Sequence, residues 1–302
     1  MAINGFLNIF KDKSRSSFEI VDTVKKMFKD ILDIDIKVGH LGTLDPCAVG
    51  VLPMAIGKAT RLCEFMENND KKYLFELTLG IKTTTGDQEG EVLDIQTPPI
   101  FSDEKVISVC SEFIGHYKQK IPSYSAAKVD GKRFYELARS NQAVPERYKD
   151  VDIKRLQYIK RDKNSFWFEV VCSFGTYVRS LCEDIASSLG TIGTMTYLLR
   201  EASGSFFLKD SLSLENLEYL ISKKEYFKIL TSVNKMLSHI PVVILNYDNS
   251  RKFVNGGEIW INKDFENLDI LRIFCTSGTF LGLAERHNGS KKIWKPNKVI
   301  VI

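Results

Sequence analysis

The stretch GHLGTLDPCAVGVLP, residues 39–53, limits what this chain can fold into more than any other. Three glycines and two prolines surround a single carboxylate, Asp45. Pro46 pushes the Asp45 backbone out of the right-handed helical region. Gly39, Gly42 and Gly50 permit tight backbone paths and close approach of a ligand. Residues 38–57 are therefore expected to be irregular, a loop that presents Asp45. A carboxylate so held can act as a nucleophile, a general base or a metal ligand. The plain alternative is an Asx turn ahead of a proline.

A chain of 302 residues that is 44% hydrophobic and 26% charged can bury a full core. That size suits one large domain, or a large one with a small companion. No run approaches the ~18 apolar residues needed to cross a bilayer. The start, MAINGFLNIFKDK, lacks the basic-then-apolar pattern of a secretion signal. Six cysteines form no C-x-x-C pair and are expected to be free thiols of a cytoplasmic protein. Four scattered histidines show no zinc spacing, so no metal site is expected.

Charge is distributed unevenly. Residues 116–163 hold 13 Lys+Arg against 6 Asp+Glu, a surplus of +7 in a chain whose net charge is +4. Tyr117, Tyr124, Phe134, Tyr135, Tyr148 and Tyr158 interleave that stretch. Cations suit phosphates and exposed rings suit unstacked bases, so this pattern fits nucleic-acid binding. A solvated face of long basic side chains is the plain alternative.

The element reading is mixed. GFLNIF (5–10) reads as a buried strand. The following helix opens on a Ser16–Glu19 capping box and carries Phe18, Val21, Val24, Phe28 and Ile31 at helical spacing. GKATRLCEFMEN reads as helical. KKYLFELTLG alternates Tyr73, Phe75, Leu77 and Leu79 on one face, a strand. TTTGDQEG is a turn and EVLDIQ a returning strand. SDEKVISVCSEFIG is a helix with Val106, Val109, Cys110 and Phe113 inward. Residues 119–150 read as an excursion from the core, with a short helix near RFYELARS. VDIKRLQYIKR and SFWFEVVCS form a strand pair. TYVRSLCEDIASSLG is a helix ended by Gly190, TIGTMTYLLREASGSFFL is largely extended, and SLENLEYLISKKEYF is helical. Near residue 240 the texture changes to short strands, IPVVILN, DILRIFCT, TFLGLAERH and KVIVI, a small all-β module.

GHLGTLDPCAVGVLP resembles the catalytic motif of the TruB-type tRNA pseudouridine synthases, G-H-x-G-T-L-D-P-x-A-x-G-V-L-P, at every fixed position. Four further segments are similar to that family in the same order: KKYLFELTLGIKTTTGDQEG (71–90), IPSYSAAKVDGKRFYELAR (121–139), CSFGTYVRSLCEDIASSLG (172–190) and LLREASGSF (198–206). The resemblance implies an α+β fold. A pseudouridine-synthase catalytic domain on a largely antiparallel, mixed sheet would span residues 1–238, and residues 119–150 would be an RNA-clasping insertion. A small PUA-like β-barrel module would span residues 239–302.

The activity the resemblance implies is conversion of uridine 55 in the T-loop of tRNA to pseudouridine, after the base is flipped out. The glycosidic bond moves from N1 to C5 without redox change, so no cofactor is expected. Asp45 matches the catalytic aspartate; attack at C6, attack at C1′ and assistance to base expulsion all stay open. Arg179 matches the family's arginine, a candidate partner for Asp45. On spacing alone it would pair with Glu183 one turn on. Tyr73 matches the residue set against the target base, His40 the histidine that fills the vacated space, and Tyr177 and Leu198 the walls of the uridine pocket. Lys128, Lys132, Arg133 and Arg139 of the insertion are candidate phosphate contacts, and Lys128, which lies in the motif, is expected to be the most ordered. The partners implied are the T-loop and acceptor arm of tRNA, with no membrane, and a monomer is expected. Two rival readings are an enzyme of the related type guided by a small RNA, and a tRNA-folding chaperone.

One motif departs from the family. Its N-terminal K-P-x-G-x-[ST]-S appears here as KDKSRSS, with Asp12 and Ser14 where proline and glycine would stand. A different turn, and altered support for the Asp45 loop, are expected there.

Overall fold

The structure is a computed structural model that describes residues 3–66, 70–140, 142–262, 265, 268–287 and 292–302. Its main body is a nine-stranded sheet. The order is Gly5–Lys11, Val49–Ile56, Gly193–Ser203, Lys71–Leu79, Ser165–Cys172, Tyr148–Asp162 and Gly115–Lys120. Val38–His40 pairs with Val49–Ile56, and Phe206–Phe207 with Gly193–Ser203. Every pairing is antiparallel except that of Val49–Ile56 with Gly193–Ser203, so the sheet is largely antiparallel and mixed.

Alternation sets the centre of the sheet. In Lys71–Leu79 and Ser165–Cys172, buried and half-buried positions alternate without interruption. Period-two patterning puts one side-chain set into the core, where Phe75 stacks on Phe168 at 5.2 Å between ring centroids. The helices Asp103–Glu112 and Val178–Ser188 add Val106, Val109, Cys110, Leu181 and Ile185 to that core. A second core gathers Ile20, Val24 and Phe28 of helix Ser17–Leu32 and Leu217 and Ile221 of helix Leu214–Ser222 against the edge strands. The first of these helices starts on the expected Ser16–Glu19 capping box.

Three local expectations need correction. Only residues 41–48 and Gly57 of the expected irregular stretch are non-strand, because Val38–His40 and VGVLPMAI, Val49–Ile56, form strands. The second of these is buried almost throughout, so it lacks alternation, and its glycine and proline imitate a loop. Phe18 does not join the core. It is 72% exposed in the first turn of its helix, at the mouth of a cavity that Asp45 also lines. Of the expected helix GKATRLCEFMEN, Gly57–Met66 forms a 3-10 helix, and its last two residues lie outside the described residues.

The excursion leaves and returns at one point. Lys120 pairs with Tyr148, and Ile121 N donates to Arg147 O at 2.9 Å. Between them lie the hairpin Lys128–Val129/Lys132–Arg133 and the short helix Phe134–Arg139, which buries Phe134 and Leu137.

A second, curled sheet of five strands follows, in the order Val242–Leu245, Ile270–Cys275, Phe280–Arg286, Ile293–Val299 and Ile259–Trp260. It is a half-barrel of PUA-like form around the buried Trp294. The expected strand KVIVI lies mostly past it, since the last strand ends at Val299, and the helix Tyr247–Val254 was not legible as one. This sheet is not a loose appendage. Phe280, Leu283 and Ile300 share a core with Phe6, Leu41, Val51 and Leu62, and Arg272 Nη1 donates to Asn234 O at 2.9 Å. Among the described residues no helix is long and apolar enough to cross a membrane.

Candidate active site

Sheet register assembles the site. The one parallel strand pairing described in the main sheet sets Arg200 beside Gly50, and the antiparallel pairing on its other side sets Arg200 beside Tyr73. Gly50 therefore holds the C-terminal root of the Asp45 loop one strand from Arg200 and two from Tyr73. A Cβ on Gly50 would stand 2.4 Å from Arg200 O, and its φ is +109°. This glycine is required both for close strand approach and for its backbone angle.

The loop itself is held by its carbonyls. Arg200, buried in the sheet, donates from Nε to Val51 O (2.7 Å), from Nη1 to Thr43 O (3.3 Å) and from Nη2 to Gly42 O (3.0 Å). From the other side Lys11 Nζ donates to Ala48 O (2.6 Å), Asp12 O (2.9 Å) and Pro46 O (3.1 Å). Ser17 Oγ accepts from Leu44 N at 2.8 Å and donates to Leu44 O at 2.9 Å. A segment that cannot bond to itself as helix or strand must find its partners elsewhere. Two buried cations and one hydroxyl supply them. The altered KDKSRSS turn keeps this support: Ser14 adopts φ 70° in place of glycine, and its N donates to Pro46 O at 3.0 Å.

Arg179 is the hub. Its Nε lies 2.8 Å from Asp45 Oδ2 and 3.8 Å from Asp87 Oδ2, while Nη1 and Nη2 donate to Thr85 O and Tyr124 O, each at 2.9 Å. Burial disfavours the cation, but Asp45 and Asp87 outweigh that and raise its pKa. Its partner is thus across the cleft, and the Glu183 pairing suggested by spacing alone is not the one formed among the described residues. Asp87, in the turn TTTGDQEG, is a site residue that the sequence reading does not single out. Its Oδ1 accepts from Thr85 Oγ1 at 2.6 Å and from Glu89 N at 3.0 Å.

His40, Asp45, Tyr73, Tyr177, Arg179 and Leu198 all line one cleft of about 310 Å3. Six of the seven expected site residues thus meet at one place. Lys128 does not line it; it is exposed on the insertion's hairpin. A neighbouring cavity of about 660 Å3, also lined by Asp45, carries Arg133 and Arg139 instead. Both guanidinium groups lie over the Tyr135 ring at 5.7 Å, and Arg133 Nη1 donates to Tyr135 Oη at 2.8 Å. Burial raises the Tyr73 phenol pKa, with Arg200 opposing, and burial lowers that of His40 with help from Arg200.

Cys47, Asp87 and Glu89 place one ligand atom each within 4.8 Å of one another. They do not fit a cation. Burial and the adjacent carboxylates push the Cys47 thiol up, and protein donors already occupy Asp87.

The chain is also similar to known proteins. The TruB family pseudouridylate synthase N-terminal domain matches residues 29–178. The chain is 40% identical to tRNA pseudouridine synthase B of Alkaliphilus oremlandii over 260 residues, covering 86% of this chain and 84% of the relative. It is 38% identical to tRNA pseudouridine synthase B of Clostridioides difficile over 308 residues, covering 99% of this chain and 100% of the relative. In fold it is similar to a chain of a Cbf5-Nop10-Gar1 complex, with a TM-score of 0.73 at 23% identity, covering 98% of this chain and 84% of that one.

Proposed function

The chain belongs to the TruB family of pseudouridylate synthases, and on that premise we propose how its cleft performs the reaction. The chain is a tRNA pseudouridine synthase, an isomerase. Its target is the T-loop uridine at position 55. The single observation that carries the reading is the ion pair of Asp45 with a buried Arg179 in a cleft walled by Tyr73, Tyr177 and Leu198. At about 310 Å3 the cleft lies at the low end for ligand sites, which suits a single nucleoside.

Isomerisation must break the N1–C1′ bond, turn the base, form the C5–C1′ bond and remove the C5 proton. A uridine inside the T-loop cannot reach Asp45 until it is flipped, and His40 lies at the cleft where it can fill the vacated stack. Arg179 aims the Asp45 carboxylate and balances its charge without a flexible water shell. Asp45 then acts on C6 or C1′, or assists base expulsion. The Tyr73 ring packs on the base, with stacking worth ~1–3 kcal/mol, and its buried hydroxyl stands ready to take part in moving the C5 proton. Arg133, Arg139 and Lys128 of the insertion 119–150 meet the phosphates. The PUA-like sheet beyond residue 239 meets the acceptor arm. On this reading the chain acts as a monomer.

The test is tritium release from a tRNA transcript labelled at uridine C5, with wild type and Asp45→Asn. Release near one tritium per tRNA, lost in the variant, is expected. Tight binding by wild type without release would overturn the reading and favour a guided enzyme or a folding chaperone.

A further inference from the structure

Gln119 takes no part in the reading above, yet its side chain is wholly buried and fully bonded in the described structure. It sits on Gly115–Lys120, the strand from which the insertion departs. Its Oε1 accepts from Tyr177 N at 2.7 Å, and its Nε2 donates to Tyr177 O at 3.0 Å and to Tyr117 Oη. Tyr117 Oη donates onward to Asp184 Oδ2 at 3.3 Å. Ser180 Oγ donates to Lys120 O at 2.9 Å.

These contacts fall on Tyr177, Ser180 and Asp184. Spacings of three and four residues put them on one face of helix Val178–Ser188. Tyr177 is that helix's N-cap and makes no side-chain cap of its own. The Gln119 amide grips both backbone groups of this residue, as a neighbouring strand would. Two residues on, Arg179 projects to Asp45. Apolar packing is non-directional and lets a helix roll, whereas buried hydrogen bonds of fixed geometry define its rotation and register. The insertion meets the same helix a second time, where Arg179 Nη2 donates to Tyr124 O at 2.9 Å.

We propose that Gln119 is a positioning residue: it locks the root of the insertion to the N-terminus of the Arg179 helix, so that Tyr177 and the Arg179–Asp45 pair are set in place together. The inference rests on the pseudouridine synthase reading. It acts through Tyr177 and Arg179, and Gln119 itself touches no reacting atom.

The test uses the full chain and the C5-tritiated tRNA transcript. Gln119→Leu removes every polar contact; Gln119→Glu keeps an acceptor for Tyr177 N and loses the donors. At saturating enzyme the tritium-release rate constant is expected to fall about tenfold or more in Gln119→Leu and by less in Gln119→Glu. The tRNA dissociation constant stays within about threefold of wild type, the split expected when ground-state binding is untouched. A folded Gln119→Glu or Gln119→Leu with the wild-type rate constant, or one that loses binding alone, would overturn the proposal. Amide hydrogen exchange provides a readout that needs no turnover. In Gln119→Leu the Tyr177 and Leu181 amides are expected to exchange about tenfold faster or more, with the Leu217–Ile221 amides unchanged. Equal acceleration in both places, or none at Tyr177, would sink the idea. Wild type that releases no tritium would refute the synthase reading, and the exchange result would then decide on Gln119 by the same two outcomes.

Discussion

Arg179 Nε lies 2.8 Å from Asp45 Oδ2, and the arginine side chain is only 5% exposed while that of Asp45 is 33% exposed. The carboxylate faces the cleft and the cation stands behind it. A buried guanidinium that also serves Thr85 O and Tyr124 O cannot drift from its carboxylate, so the pair is rigid where a surface pair would not be.

Lysine cannot reproduce that fork. Arg179→Lys is expected to lower the single-turnover rate about 100-fold or more, as removal of an oriented charge-stabilising donor does. Arg179→Met is expected also to destabilise the fold by about 3 kcal/mol, because it leaves Asp87 buried without its cation. Rate constants and denaturant unfolding of both variants check this; a wild-type rate in Arg179→Lys would show the fork to be unnecessary.

Gly50 and Gly39 lie in the same motif but should respond differently. A Cβ at Gly50 meets Arg200 backbone at 2.4 Å with φ +109°, whereas one at Gly39 meets only Thr60 Cγ2 at 3.9 Å. Gly50→Ala is expected to cost about 3 kcal/mol or more and lower the thermal midpoint by about 6 °C or more. Gly39→Ala is expected to stay within about 0.5 kcal/mol of wild type. Paired melting curves decide it.

Lys11 gives an alkaline signature. Burial lowers its pKa to about 8 from the usual 10.5. Below pH 8 folded and unfolded chains both hold the proton, and the full penalty of burying the charge is present. As pH rises from 8 towards 10.5 the folded protein sheds the proton first, so stability rises across that window. From pH 8 to 9.5 the gain from this group is expected to be about 1–2 kcal/mol, and it should vanish in Lys11→Met. Urea unfolding at several pH values measures it. A flat difference between the two proteins would show that Lys11 keeps its proton.

Ser14 bears strain that its replacement can relieve. It holds φ 70° on an exposed turn, where a residue with a Cβ is disfavoured by about 1–2 kcal/mol. Ser14→Gly is expected to stabilise the protein by up to about 1 kcal/mol, after the entropy glycine loses on folding, with the reaction rate unchanged. No gain in the denaturation midpoint would show that the turn is not strained.

Much of this site was legible in the sequence through the motifs it shares with the family, and some of its residues also carry a local mark. Asp45 stands out among glycines and prolines, and Tyr73 falls on a strand that alternates cleanly. Arg133 and Arg139 sit in a basic, aromatic stretch. Asp87, Lys11, Arg200 and Gln119 were harder to read. Each acts on a backbone group or a charge far away in the chain, and no local period marks such a contact. Phe18 misled for a related reason: helical spacing says which residues share a face, but not what that face meets.

The sequence by itself determined the central strands, the helix that opens on the Ser16–Glu19 capping box, and the presence of one carboxylate on a constrained loop. Local sterics and hydrophobic period settle those, and both are written over a few neighbouring residues. Only the tertiary structure decided which cation meets Asp45. Arg179 had Glu183 at hand one turn away, and it faces Asp45 because sheet register brings the loop to its helix and Gln119 fixes how that helix is turned. Register is set by contacts more than a hundred residues apart in the chain, such as Gly50 with Arg200, and helix rotation by contacts 58 residues apart, such as Gln119 with Tyr177, and these form only when the whole sheet closes.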